Sequence, residues 1–462
     1  MASLSASDRL ALKPASLRWP GRALLPAPCG LGFAVFLVLN AVLFVRPAEI
    51  VPALLGLNIY LVVILVCLFF SFPVVLEQLI PQSLETRPIT VCVFGLLLAI
   101  LLSHLSHFRF EEAFLSGWDF FKMILYFLLF VGLVRTPGRL RTFLLCFVLF
   151  ATVVAALAVL QFHGVIKLPN MNPIKDSSHD AAGQQTYILR LQGSGIFHDP
   201  NDLCILMVIS LLLGLYWLTD ARFGLLRLGM IVPLLLFAYA LSRTQSRGGM
   251  LALLAGLGAF MRMRFGWLQS LLLGMVVVPL LLVVFAGRQT SISTSEGTAR
   301  TRIQLWSDGL VLFRQSPLFG IGVDEYERQV GHVAHNSYIH AFVEMGFFGG
   351  FFYIGAFALA LESFYRYRTG GRLILDPELR RLYPYLSATI AAYAVGMLSL
   401  SLCYIIPTYT MLALAIVYRG MTAASPPLPA PRCDGPLALR MGGLSIAALI
   451  SFNLFVRLFV KW

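Results

Sequence analysis

An all-α, polytopic transmembrane helical bundle is the fold this sequence predicts, and three observations predict it. Of the 462 residues, 58% are hydrophobic and only 12% are charged, whereas soluble domains run near half apolar and a quarter charged. Apolar runs of about 18 residues or more recur from Leu31 to the C-terminus, each long enough to cross ~30 Å of hydrocarbon as a helix. Backbone groups in lipid must be paired within their own segment, so these runs are helices. The short alternating segments of a transmembrane barrel do not occur.

Hydropathy places about 12–13 spans along the chain. They cover 31–45, 50–72, 89–105, 120–134, 143–162, 203–218, 225–241, 249–263, 268–286, 339–361, 383–402, 405–418 and 439–460. Residues 1–30 are polar, basic and proline-containing, and read as a cytoplasmic leader rather than a cleavable signal peptide. The transmembrane domain follows over 31–421. Residues 422–462 hold a Pro-rich linker, 425–436, and a last hydrophobic span.

The net charge of +13 comes from 35 basic and 22 acidic residues. The basic residues collect in short loops: Arg135, Arg139 and Arg141, then Arg222 and Arg227, then Arg262 and Arg264. Arg366, Arg368, Arg372, Arg380 and Arg381 follow, then Arg419, Arg432 and Arg440. All share one side if the N-terminus is cytoplasmic, as the positive-inside rule requires. No basic face carries interleaved aromatics, which argues against a nucleic-acid partner. None of the seven cysteines forms a CxxC pair, and most lie inside apolar runs; they read as small core residues.

The opposite side receives two long polar segments, 163–202 and 287–338, the only loops large enough to build a site. In the second, Ile303, Trp306, Leu310 and Phe313 recur at helical spacing. That pattern fits an amphipathic helix on the membrane surface and equally one packed on other loop segments.

Three constellations sit at the outer ends of spans. The first runs from Arg190 through Gly193, Gly195 and His198 to Asn201 and Asp202. Its glycines allow close turns, and Asp199 or Asn201 suits a helix cap; an interfacial arginine beside a helix cap explains it too. The second, 242–249, puts Arg243 and Arg247 in a short turn on the side that the positive-inside rule disfavours. Guanidinium forks so placed suit phosphate oxygens, of a substrate or of phospholipid headgroups. The third combines Gly320, Gly322, His332, His335, Asn336, Tyr338 and His340, and runs into the span with Glu344, Gly346, Gly349 and Gly350. A histidine there can serve as general base, or be merely hydrogen-bonded in its loop. Asn336 or Tyr338 could orient a sugar hydroxyl. His332, His335, His340 and Glu344 are close enough in sequence for a metal site as an alternative, but their spacings are not those of a helical metal-binding pair, and no metal or other cofactor is expected.

Taken together, arginines that hold an anionic leaving group beside a histidine suit transfer of a group from a polyprenyl pyrophosphate. The chain has no Walker loop, so the activated donor would arrive on its lipid. A transporter or flippase of lipid-linked saccharides is the alternative. Transporters, however, place ionisable groups near the bilayer midplane, and here the candidates gather on one face.

At these residues the chain resembles the O-antigen ligase and O-antigen polymerase superfamily. The resemblance rests on 335–338 (His-Asn-Ser-Tyr), the 317–322 turn before it and the Glu344-x-Gly346 helix after it. The 246–248 turn, the Arg190–Gly195–Asn201 approach and the early 44–47 loop also match in order, over roughly 31–418. The resemblance implies a GT-C-like membrane glycosyltransferase of the bacterial inner membrane, with its active site facing the periplasm. It implies His335 as base, with Arg190 and Arg247 holding undecaprenyl pyrophosphate, and no metal. The partners implied are an undecaprenyl-pyrophosphate-linked glycan donor, membrane lipids, and an acceptor hydroxyl on lipid A-core, a growing glycan or another molecule. The departure is the span at 439–460, since the family usually has about twelve spans and an added one puts the C-terminus outside.

Overall fold

The computed structural model describes residues 30–54, 56–168, 174–179, 185–284 and 297–459. Nearly all of the cytoplasmic leader expected at 1–30 lies outside these residues, as do parts of both long loops. The chain begins with α1 (Gly30–Val45), the short α2 (Pro47–Ile50), α3 (Ile59–Leu79), the short α4 (Pro81–Glu85), α5 (Pro88–Leu105), α6 (Phe110–Leu133) and α7 (Pro137–Phe162). After the hairpin of β1 (Ile174–His179) and β2 (Gln185–Arg190) come α8 (Pro200–Leu218), α9 (Ile231–Thr244), α10 (Arg247–Phe265) and α11 (Trp267–Val284). Then follow α12 (Gly297–Gln315), α13 (Glu325–Val330), α14 (Ser337–Arg368), α15 (Pro377–Gly396), α16 (Ile406–Met421) and α17 (Gly435–Phe459).

Among the described residues nine helices are long and apolar enough to cross a membrane. The shorter or more polar α10, α15 and α16 pack alongside them, and α11 packs on α10. The all-α polytopic fold expected from composition is therefore the fold observed. Outward faces are apolar, with Phe69, Leu225 and Leu226 more than three-quarters exposed, as suits a surface bathed in hydrocarbon. Inside, Tyr126 donates to Asn40 Oδ1 at 2.7 Å and accepts from Thr410 at 3.3 Å, which ties α1, α6 and α16 by a satisfied polar chain.

The element boundaries differ from hydropathy in places with local causes. Pro47 and Pro52 break the run after α1, so the second span starts at Ile59 rather than 50 and continues past Pro73 to Leu79. A proline inside a transmembrane helix is tolerated because neighbouring groups satisfy the freed carbonyl. The span expected at 383–402 is displaced: α15 ends at Gly396 and 397–405 are largely irregular. Thr136, Asp199, Ser246, Asn336 and Asp376 cap five helices with their side chains, each accepting backbone N–H groups.

The basic loops meet at one end. Asp220, buried after α8, binds Arg141, Arg222 and Arg381 at 3.2, 2.8 and 2.8 Å. Arg368 donates to the Met263 carbonyl at 3.2 Å, and Arg440 on α17 reaches Glu362 on α14 at 2.7 Å. The last span thus packs on α14 from this end and reaches the other, where Phe455 lies 5.8 Å from Trp306.

Helix α12 packs rather than lying free on a surface. Leu310 and Phe313 are buried, Trp306 donates to the Ala334 carbonyl at 2.7 Å, and a Cβ on Gly309 would lie 2.7 Å from the Tyr326 ring.

Candidate functional site

At the end opposite the basic loops, the three constellations form one structure. Asp199 caps α8 by accepting the Asn201 N–H at 2.6 Å. Arg190, the last residue of β2, donates from Nε to the Thr244 carbonyl at 2.8 Å and from Nη2 to Asn201 Oδ1 at 3.0 Å. The same oxygen accepts the Ser246 hydroxyl at 2.9 Å, and Ser246 caps α10 through the Gly249 N–H at 3.2 Å. Leu191 donates its N–H to the Arg243 carbonyl at 3.0 Å. Asn201 therefore locks the approach segment onto the arginine turn, which reverses through Gln245 at φ +52°.

Close approach explains the glycines after Arg247. A Cβ on Gly248 would sit 2.0 Å from Ser399 Oγ, and one on Gly249 2.5 Å from Cys204 Sγ. Arg247, at the first position of α10, is thereby brought against the irregular 397–405 segment. The early loop joins as well. Glu49 accepts the Gly195 N–H at 2.7 Å and Arg46 at 2.8 Å, and the Phe44 ring lies 5.6 Å from Phe197.

The third constellation is built around a broken helix. Gly346, at φ +67°, interrupts α14. The 317–322 turn laces into the gap: Phe347 and Phe348 donate N–H groups to the carbonyls of Pro317 and Leu318, at 2.8 and 3.1 Å. In return Ile321 and Gly322 donate to the carbonyls of Val343 and Glu344, at 3.1 and 3.0 Å. Asn336 caps α14, its Oδ1 accepting from Tyr338 and Ile339 at 3.0 and 3.2 Å. Tyr338 turns inward and donates its hydroxyl to the Ala394 carbonyl at 2.8 Å. Ser337 fastens the irregular segment: its N–H goes to the Met397 carbonyl at 2.8 Å, and its hydroxyl to that of Leu400 at 2.6 Å.

His335, half-buried just before this cap, is held at φ +48°. Burial, and then the Arg302 guanidinium, push its imidazole down to about 4, with Arg190 adding to the effect and Asp199 opposing it. The ring is therefore neutral near pH 7. Arg302 donates to the Ser399 carbonyl at 3.4 Å, so Ser399 touches both α12 and the Arg247 turn.

The candidate residues divide accordingly. His335 and Arg190 share one electrostatic neighbourhood, and Ser399 brings the Arg247 turn to it. The cap and anchor bonds of Asn336 and Tyr338 fix the start of α14. Arg243 is exposed and directed elsewhere: its guanidinium lies 5.2 Å from the Tyr239 ring, whose hydroxyl is 2.7 Å from His163 Nε2. His332 and His198 are exposed. His340 is buried one turn below, with Nε2 3.1 Å from Glu344. No three His, Cys, Asp or Glu side chains among the described residues converge as a metal site would need.

Sequence reasoning missed Arg302 and the 397–405 segment. Arg302 did carry a signal, as an arginine on the polar face of α12 in an outer loop. Ser399 carried none, because hydropathy placed it inside a span.

The fold is that of a polytopic helical membrane protein, with the candidate arginines and histidine gathered at one end. Residues 232–354 match the family model described as O-antigen ligase. Over that stretch, which contains Arg243, Arg247, Arg302, His335, Asn336 and Tyr338 but not Arg190, the chain is similar to the O-antigen ligase superfamily. No curated protein matches the chain.

Proposed function

We propose that the protein is a glycosyltransferase that moves a glycan from undecaprenyl pyrophosphate to an acceptor hydroxyl on the periplasmic face of the bacterial inner membrane. The observation that carries this reading is the half-buried His335 before α14, with Arg302 bonded to Ser399 and Arg190 bonded to Asn201, on the side of the bundle opposite the basic loops. The family match supports ligase- or polymerase-type glycosyl transfer in general. The basic loops support the orientation, since positive charge stays cytoplasmic.

In this reading the acceptor oxygen attacks the anomeric carbon while its proton passes to the His335 imidazole. The bond from the anomeric carbon to the pyrophosphate oxygen breaks, and the electron pair leaves with undecaprenyl pyrophosphate. Arg190, Arg247 and Arg302 supply the charge that stabilises this leaving group. No ATP is consumed, because the donor carries its own activation. Donor binding also tunes the base: two added phosphate charges beside His335 offset the arginines that depress it, so its affinity for the proton rises when the donor is in place.

The test is incubation of purified protein with a polyprenyl-pyrophosphate glycan and, separately, lipid A-core and glycan acceptors, without ATP. Transfer to one acceptor with release of polyprenyl pyrophosphate is expected. Movement of intact donor across vesicles, with no transfer to any acceptor, would instead favour a flippase.

A further inference from the structure

We propose that the cavity at the basic end of the bundle is a binding site for the headgroup of an anionic phospholipid. The cavity, of about 690 Å³, lies between α14, α16, the Pro-rich linker and the start of α17. Arg87, Arg135, Arg366, Arg419, Arg432 and Arg440 line it, against only two carboxylates, Glu362 and Asp434.

Both carboxylates are already engaged. Glu362 is shared by Arg366 and Arg440, each at 2.7 Å, and Asp434 accepts the Leu437 N–H at the start of α17 at 2.9 Å. Counting Glu77, which pairs with Arg135 at 2.6 Å, six lining arginines face three carboxylates, so positive charge remains in excess. Arg419 is pre-positioned by bonds to the Pro429 carbonyl at 2.9 Å and Ser363 Oγ at 3.3 Å. Arg135 is held by Glu77 through Nη1 at 2.6 Å. A phosphate oxygen is the acceptor that the guanidinium forks lining the cavity fit best.

The rest of the lining selects an amphiphile over a free anion. Leu359, Ile416 and Leu437 supply apolar wall beside the arginines. Leu444, two turns past Leu437 on the same face of α17, is 48% exposed. An acyl chain can therefore lie along α17 while the phosphate enters the cavity. Basic pockets between helices at a cytoplasmic face have this character. The linker and last span, which the proposed transfer chemistry does not use, supply the wall that closes the site.

The experiment measures lipid retained by the full-length protein after extraction from bilayers of phosphatidylglycerol and phosphatidylcholine, by native mass spectrometry. Phosphatidylglycerol should be retained preferentially. Retention should fall roughly fivefold for each arginine lost in Arg419→Gln, Arg432→Gln and the double variant. Arg432 is exposed, so its single variant reads the site even where the Arg419 change disturbs folding. Soluble glycerol phosphate and inorganic phosphate at millimolar concentration should not displace the lipid. Equal retention of the two lipids, unchanged retention in Arg432→Gln, or displacement by the soluble phosphates would overturn the proposal. The readout is independent of glycosyl transfer, so either reading can fail alone.

Discussion

His335 occupies the left-handed backbone region, which costs a non-glycine residue about 1–2 kcal/mol. The cap at Asn336 and the Ser337 bonds to 397–405 hold it there. If it is the base, His335→Ala should lower turnover about 10²–10⁴-fold while donor binding persists on the arginines. A base held down to about 4 in the free protein puts the acidic limb of kcat/KM near that pH, since only the neutral ring accepts a proton. The limb of kcat, which reports the donor-bound state, should lie higher. A kcat/KM limb at the ordinary histidine value, with His335→Ala still active, would move the base elsewhere. Arg190 makes two bonds in different directions, one to a carbonyl and one to Asn201. Lysine cannot reproduce that fork. Arg190→Lys and Arg302→Gln should each lose about tenfold or more in transfer at equal expression, as removal of one charge-assisted bond predicts. Near-normal rates for Arg302→Gln would remove α12 from the site.

The break in α14 is the element on which the site depends. It exists because two glycine-bearing segments approach backbone to backbone. A Cβ on Gly346 would lie 2.3 Å from the Leu318 carbonyl oxygen, and one on Gly320 2.3 Å from that of Glu344. Both residues also have positive φ, +67° and +78°, so alanine there is strained as well as obstructed. Gly346→Ala should cost several kcal/mol, about 1–2 from φ alone, and lower the thermal midpoint of the solubilised protein. Gly443→Ala on α17, where a Cβ meets nothing within 4 Å, is the matched control and should be neutral or mildly stabilising. Equal midpoints for the two variants would mean that the lacing does not hold the helix.

On the scale of the whole molecule, the two ends have different chemistry. One carries the basic loops, paired through Asp220 and Glu362. The other carries every positive-φ non-glycine residue among those described, namely Arg46, Phe108, Gln245, Asp324 and His335. Strained backbone concentrates where function constrains it. The proposed orientation can be read with thiols. Cys433 is exposed beside the basic end, and His332 is exposed near His335. In cells with a permeabilised outer membrane, an impermeant thiol reagent should label His332→Cys and spare Cys433 until the inner membrane is lysed. The reverse pattern would invert the topology.

The sequence by itself determined the helical membrane fold, the approximate spans and which loops share an end. Those properties follow from local hydropathy and from charge counted along the chain. It also contained the residues of the candidate site, because arginines on the disfavoured side and a histidine before a span stand out against an apolar background. Only the tertiary structure decided how they relate. It turned Arg243 toward Tyr239, bonded Asn336 and Tyr338 to backbone groups, and brought Arg302 and Ser399 to the site. Those outcomes depend on contacts between segments far apart in the chain, such as Gly346 with Leu318 or Gly248 with Ser399. Hydropathy cannot register them, because a residue's own polarity does not say which distant backbone it will meet.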